Sequence, residues 1–175
     1  MSIISELIKS DNNVKEFSLD KQILLGKVVD CYDADTCRIN IILNNKLVKF
    51  NCRLYGIDTP EIRPLKSVEN RDIIIKKAHT AKNYLLSLII RNNNFNLDNE
   101  YSKKEVNLLL KQNTYLVKVK CGIFDKYGRL LVELYPYQDI EFTHQTGGVL
   151  EFENSYNQKL INNNFAYAYY GGTKQ

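Results

Sequence analysis

The sequence predicts an α+β domain that is mainly β: a five-stranded Greek-key barrel carrying two to four helices. Five short stretches alternate apolar and polar residues with a period of two, which puts one face of each in a core. The longest helical pattern falls between the third and fourth of these stretches rather than at either end. At 175 residues, with 44% hydrophobic and 25% charged content, the chain suits one globular domain with a sizeable core.

Residues 2–17 place Ile4, Leu7 and Ile8 at helical spacing but end in Asp11-Asn12-Asn13. They read as a short helix, with residues 1–20 forming an arm outside the main fold and residues 21–175 forming the domain. The barrel begins with a strand from Ile23 to Tyr32, an acidic turn, and a second strand from Thr36 to Leu43. Asn44-Asn45 make a tight hairpin turn into a third strand, Leu47 to Tyr55. Residues 67–90 are helical: Ile74, Ala78, Ala81, Leu85 and Leu88 recur at four and three as a stripe that docks on the barrel. Arg71, Lys76, Lys77 and Lys82 lie between them as a solvated basic face. After a polar loop, Asn92 to Asn99, Ser102-Lys103-Lys104-Glu105 is a capping box opening a helix through Val106, Leu109 and Leu110. Strands from Tyr115 to Phe124 and from Leu130 to Tyr135 follow, joined by Asp125-Lys126-Tyr127-Gly128-Arg129. Residues 136–153 suggest a small hairpin with Gly147-Gly148 in its loop, and Ser155-x-x-Gln158 caps a last helix through Leu160 and Ile161. Five short strands with Greek-key connections and a helix between the third and fourth match the OB-fold.

Composition narrows the function. A formal net charge of +4 favours an anionic partner without establishing one. Cys31, Cys37, Cys52 and Cys121 form no C-x-x-C pair, which argues against a zinc ribbon or thioredoxin-like motif; their strand parity makes them small core residues. His79 and His144 are far apart, so chemistry built on histidine pairs lacks its parts. Met1 to Asp20 lacks the basic and apolar regions of a secretory signal, and no run approaches membrane-spanning length. The expectation is an intracellular, cytoplasmic monomer with no membrane partner.

The chemistry concentrates in Phe50 to Glu61, F-N-C-R-L-Y-G-I-D-T-P-E. Arg53 points away from the core at the end of a strand, and Asp58-Thr59-Pro60-Glu61 gathers two carboxylates around a proline that fixes φ. A surface salt bridge is the bland reading. Two further turns weigh against it: Asp33-Ala34-Asp35-Thr36 upstream and Asp125-Lys126-Tyr127-Gly128-Arg129 downstream. Hard divalent cations take carboxylate, carbonyl and water oxygens, and phosphodiesters take forked guanidinium donors. Asp35, Asp58 and Glu61 for a metal and a water, with Arg53 and Arg129 for a phosphate, are the parts of metal-assisted phosphodiester hydrolysis.

At these motifs the chain resembles the staphylococcal nuclease (thermonuclease) family. The likeness runs in order through D-A-D-T (33–36), R-L-Y-G-I-D-T-P-E (53–61) and D-K-Y-G-R (125–129), and more weakly to L-I-N-N-N-F-A-Y-A-Y-Y (160–170). It covers roughly residues 23–170, with insertions near 91–113 and 136–153. The resemblance implies an OB-fold and a calcium-dependent endonuclease acting on DNA and RNA to leave 3′-phosphate ends. It gives Asp35, Asp58 and the Thr59 carbonyl to Ca2+, and gives Glu61 to the attacking water. Arg53 and Arg129 go to the phosphate, and Lys126, Tyr127 and Tyr170 to the nucleotide. Ala34 stands where the family usually has Gly, which costs little unless that position has φ > 0. The rival expectation is an inactive OB-fold module binding single-stranded nucleic acid or peptide through basic and aromatic groups.

Overall fold

The alternating stretches are strands, and they close on one another. A computed structural model describes residues 3–137 and 150–171; the expected Gly147-Gly148 hairpin and His144 lie outside them. β1 (Ile23–Asp33), β2 (Thr36–Leu43) and β3 (Lys46–Leu54) form an antiparallel meander. A two-residue strand β4 (Ile57–Asp58) follows, then the hairpin of β5 (Val117–Phe124) and β6 (Leu130–Pro136), and finally β7 (Tyr167–Ala168). The barrel order is β1-β2-β3-β6-β5, closed by antiparallel pairing of β1 with β5, while β3 runs parallel to β6. One parallel step in an otherwise antiparallel barrel is the return of a Greek key, and the architecture is the expected α+β barrel of OB-fold type.

Strand parity decides what is inside. Val28, Ile39, Cys52, Val119, Leu130 and Leu134 point inward and are 1% exposed or less. All four cysteines are buried free thiols, and Cys37 faces both Cys31 and Cys52 across the strands. Burial pushes the Cys31 and Cys52 thiols up to about 12 and Cys121 up to about 11, so at neutral pH they are inert apolar filling. Asn44 (φ 48°) and Asn45 (φ 61°) are both left-handed, the conformation a two-residue hairpin turn requires.

Four α-helices decorate the barrel among the described residues. α1 (Ile3–Lys9) buries none of its residues. Leu19, shortly before β1, belongs to the barrel core. α2 (Arg71–Ile90) starts at Arg71 rather than at residue 67, since Asn70 is left-handed (φ 54°) and breaks the helical path. Its buried face carries Ala78, Ala81, Leu85, Leu86 and Ile89.

Lys82 corrects the sequence reading. It is 5% exposed rather than solvated, and its Nζ donates to the Tyr101 carbonyl at 3.4 Å. The cause is the polar segment after α2, which folds back over the helix. Buried Asn83 holds it there by donating to the Leu97 and Asn99 carbonyls at 2.9 and 2.6 Å. α3 (Lys103–Gln112) has the expected capping box between Ser102 and Glu105 and packs Val106 and Leu110 into the core.

α4 (Tyr156–Asn162) is capped by Ser155 and carries a fully buried Asn157. Asn157 Nδ2 donates to the carbonyls of Tyr55 (2.9 Å) and Val132 (3.0 Å), and its Oδ1 accepts from the Leu134 N–H (3.1 Å). That side chain ties the end of β3 to β6. Among the described residues no helix is long and apolar enough to cross a membrane.

Candidate active site

Register places the charged residues in one neighbourhood before any side chain is considered. Thr36 on β2 faces Arg53 on β3, and Arg53 faces Leu131 on β6. Asp35, just before Thr36, and Arg129, two residues before Leu131, therefore flank Arg53 at one end of the barrel. Gly56 (φ +76°) then turns the chain into β4; a Cβ there would meet Phe152 at 3.1 Å and Tyr170 at 3.2 Å, so only glycine fits comfortably. β4 pairs with β7, Asp58 opposite Tyr167, which fixes Asp58 beside Arg53. Ala34 is not among the positive-φ residues, so alanine occupies the turn before Asp35 without strain.

Asp35, Arg53, Asp58, Thr59, Glu61 and Arg129, which the sequence assigned to metal, water and phosphate, line one cleft of about 250 Å³. Arg53 is its hub. Nη1 donates to Asp35 Oδ2 at 2.6 Å, and Nη2 to Asp58 Oδ1 at 2.8 Å and to the Ile57 carbonyl at 3.3 Å. Burial works against the charged guanidinium, but Asp35 and Asp58 outweigh it and hold the Arg53 pKa above its usual value. Thr36 Oγ1 donates to Asp35 Oδ1 at 2.8 Å, and the Tyr167 hydroxyl donates to Asp58 Oδ2 at 2.8 Å. Glu61 is exposed at the mouth.

Arg129 is braced from its own turn. Its Nε and Nη2 both reach Asp125 Oδ2 at 2.7 Å, while Asp125 Oδ1 accepts the N–H groups of Tyr127 and Arg129 at 2.9 Å each. Gly128 (φ +74°) completes the turn. Lys126, Tyr127 and Tyr170 lie outside the acidic cleft and line an adjoining hollow of about 260 Å³, which shares Arg53 and Arg129 with it. Lys126 and Arg129 both stand near the Tyr127 ring, at 5.1 and 5.3 Å, and Tyr55 meets Tyr170 edge-on at 5.9 Å. Guanidiniums on one side and exposed aromatic rings on the other form a surface on which a phosphate and a base can sit together.

Several neighbours escaped the sequence reading. Asp33, Tyr32 and Arg63 also line the cleft. Asp33 Oδ1 accepts the Ile62 N–H at 3.2 Å and so anchors the loop bearing Glu61. Burial, and then the charges of Asp35 and Glu61, push the Asp33 carboxyl up to about 6. The repeated acidic residues of the D-A-D-T turn signalled Asp33, whereas Tyr167 and Tyr169 were hidden in a closing aromatic run from which only Tyr170 was chosen. A larger groove of about 390 Å³ opens over β1, β5 and β6, but its Lys120 and Glu133 are paired with each other at 3.0 Å. Chemistry, not size, selects the smaller cleft.

The oxygen set that the resemblance gives to calcium has suitable chemistry. Asp35 and Asp58 already converge on one positive group, the Arg53 guanidinium. Thr59 Oγ1 is buried without a hydrogen-bond partner among the described residues. No three acidic, histidine or cysteine side chains among the described residues gather closely enough to enclose an ion alone. Two carboxylates, a carbonyl and waters are nonetheless a set that Ca2+ accepts. No family model matches the chain, and no curated protein sequence matches it.

Proposed function

We propose that the protein is a calcium-dependent nuclease hydrolysing phosphodiester bonds in DNA and RNA. The observation that supports this most is the gathering of Asp35, Arg53, Asp58, Thr59, Glu61 and Arg129, from three separate segments, around one cleft. Asp35, Asp58 and the Thr59 carbonyl would hold the calcium ion, which when bound neutralises phosphate charge and lowers the barrier to attack. Arg53 and Arg129 hold the phosphate and stabilise the extra negative charge of the five-coordinate transition state, where preorganised donors count most. Their preorganisation comes from Asp35 and Asp58 for Arg53, and from Asp125 for Arg129. Glu61, exposed at the mouth, takes the proton of the attacking water. Lys126, Tyr127 and Tyr170 receive the nucleotide. The 3′-phosphate product ends come from the family resemblance alone.

One observation favours a second reading, a module that binds single strands without cutting them. Both guanidiniums are already paired with the chain's own carboxylates, as they would be where charge serves recognition only. Incubating the protein with single-stranded DNA and RNA, in calcium, magnesium or chelator, separates the two. Calcium-dependent cutting of both polymers is expected. Tight binding with no cutting in any metal selects the module, and neither binding nor cutting rejects both readings.

A further inference from the structure

Among the described residues, two hollows that adjoin the cleft have no lining residue in common. The aromatic one is entered past Arg53 and Arg129; the other, of about 410 Å³, shares Asp58, Thr59 and Glu61 with the cleft. Its walls are of a different kind: Pro64, Leu65, Val68 and Ile74 from the segment leading into α2, with Tyr167 beside Asp58. Leu65 is 74% exposed and Val68 37%, so the wall presents apolar surface to solvent next to a charged site. Among the described residues, Lys77 is the only cation lining the hollow.

From this we infer that the hollow is a second nucleoside subsite, receiving the base and sugar on the far side of the phosphate from the aromatic pocket. The inference rests on the phosphodiester reading of the cleft. Charge selects the occupant: Asp58 and Glu61 repel a phosphate from the entrance, whereas the uncharged part of a nucleotide meets apolar walls. The next phosphate along the strand then has Lys77 as its counter-ion. The alternation of guanidinium, apolar wall and lysine follows the alternation of charge and base along a single strand. A phosphodiester carrying a nucleoside on both sides is therefore the preferred ligand, ahead of one whose second ester group is small.

The test compares three probes: thymidylyl-(3′→5′)-thymidine, the methyl ester of thymidine 5′-phosphate and the methyl ester of thymidine 3′-phosphate. Each is titrated by calorimetry in chelator, where a metal-assisted reaction does not turn over. The dinucleotide is expected to bind about tenfold more tightly than the better of the two half-ligands. The double variant Leu65→Glu/Lys77→Glu should lose that advantage while leaving unchanged the affinity for one of the two half-ligands, the one whose nucleoside sits in the aromatic hollow. If the double variant weakens every probe, the milder Leu65→Ala/Val68→Ala variant decides, since it must still show the selective loss. Equal binding of dinucleotide and half-ligand by the unaltered protein, or an advantage that survives both variants, overturns the subsite. Cutting of long single strands in calcium is scored separately. Its failure removes the hydrolytic reading and leaves the binding comparison to judge the subsite.

Discussion

Arg53 and Arg129 are both held by carboxylates, but those of Arg53 belong to the cleft and the one bracing Arg129 does not. A phosphate arriving at Arg53 competes with Asp35 and Asp58 for the same fork, whereas Arg129 keeps donors beyond those turned to Asp125. Arg129→Lys is therefore expected to lower turnover by ~10², because lysine keeps the charge and loses the parallel donors. The turn should survive, since Asp125 still accepts the N–H groups of residues 127 and 129; unchanged calcium-dependent cleavage by the purified variant would remove Arg129 from the phosphate site. Glu61→Gln separates enzyme from binder. A carboxylate acting on water contributes in the transition state, so turnover should fall by ~10² to 10⁴, with single-strand affinity nearly unchanged. Stability should hardly move because Glu61 is exposed. Equal rates for both proteins at saturating calcium would show that another group activates the water. These residues were legible in the sequence because strand and turn propensities give no reason for an arginine beside two carboxylates. Lys82 was not legible: its spacing on α2 is that of a solvated face, and its burial follows from the fold-back pinned by Asn83, a contact between distant segments.

At the scale of elements, the site depends on two small devices, one local and one long-range. The local one is the Asp125 turn. Burial opposes ionisation of Asp125, but the N–H groups of Arg129 and Tyr127 and the Arg129 guanidinium outweigh it, holding the carboxyl below its ordinary value of 3.8. A carboxyl whose pKa is depressed on folding adds stability that is fully present above its ordinary pKa and lost as pH falls through the folded value. The melting-temperature difference between the native chain and Asp125→Asn should therefore be constant above about pH 5 and shrink below about pH 4. A difference that grows on acidification would show that the turn is held by something else. The long-range device is Asn157, whose amide joins the end of β3 to β6 from α4. Asn157→Ala strands the buried Leu134 N–H and removes two donors, and should cost about 2–4 kcal/mol by urea unfolding. Val132 keeps one partner, the Tyr55 N–H, which sets the upper end of that range. The five barrel strands, the hairpin of Asn44-Asn45 and both serine caps could be read from period and turn chemistry. The pairing of β4 with β7 could not, because two-residue strands have no period and their register is set by where α4 delivers the chain.

For the molecule as a whole, global and local charge have opposite signs. The chain carries a net +4, which favours an anionic partner. The cleft holds four acidic residues, Asp33, Asp35, Asp58 and Glu61, against three arginines. That crowding is visible in Asp33, whose carboxyl is pushed up to about 6 by burial and then by Asp35 and Glu61. A cation at Asp35 and Asp58 relieves the repulsion in the folded chain only, because the unfolded chain does not bring these residues together. Calcium should therefore stabilise the fold by mass action, by about 2.7 kcal/mol at a hundredfold excess over its dissociation constant. For a chain of this size that is a rise of roughly 5–10 °C in melting temperature. Asp58→Asn lowers the baseline on its own account, since it weakens the ion pair with Arg53 and the bond from Tyr167. The decisive quantity is instead the difference between calcium and chelator for each protein. It should be large in the native chain, absent in Asp58→Asn and largely kept in Tyr167→Phe, which removes the same hydroxyl bond but leaves the carboxylate. Thermal unfolding by circular dichroism, with magnesium as the control cation, measures it without reference to any nuclease activity. If millimolar calcium leaves the native chain's melting temperature unmoved, Asp35 and Asp58 serve only to orient Arg53, and the cleft recognises phosphate without a metal.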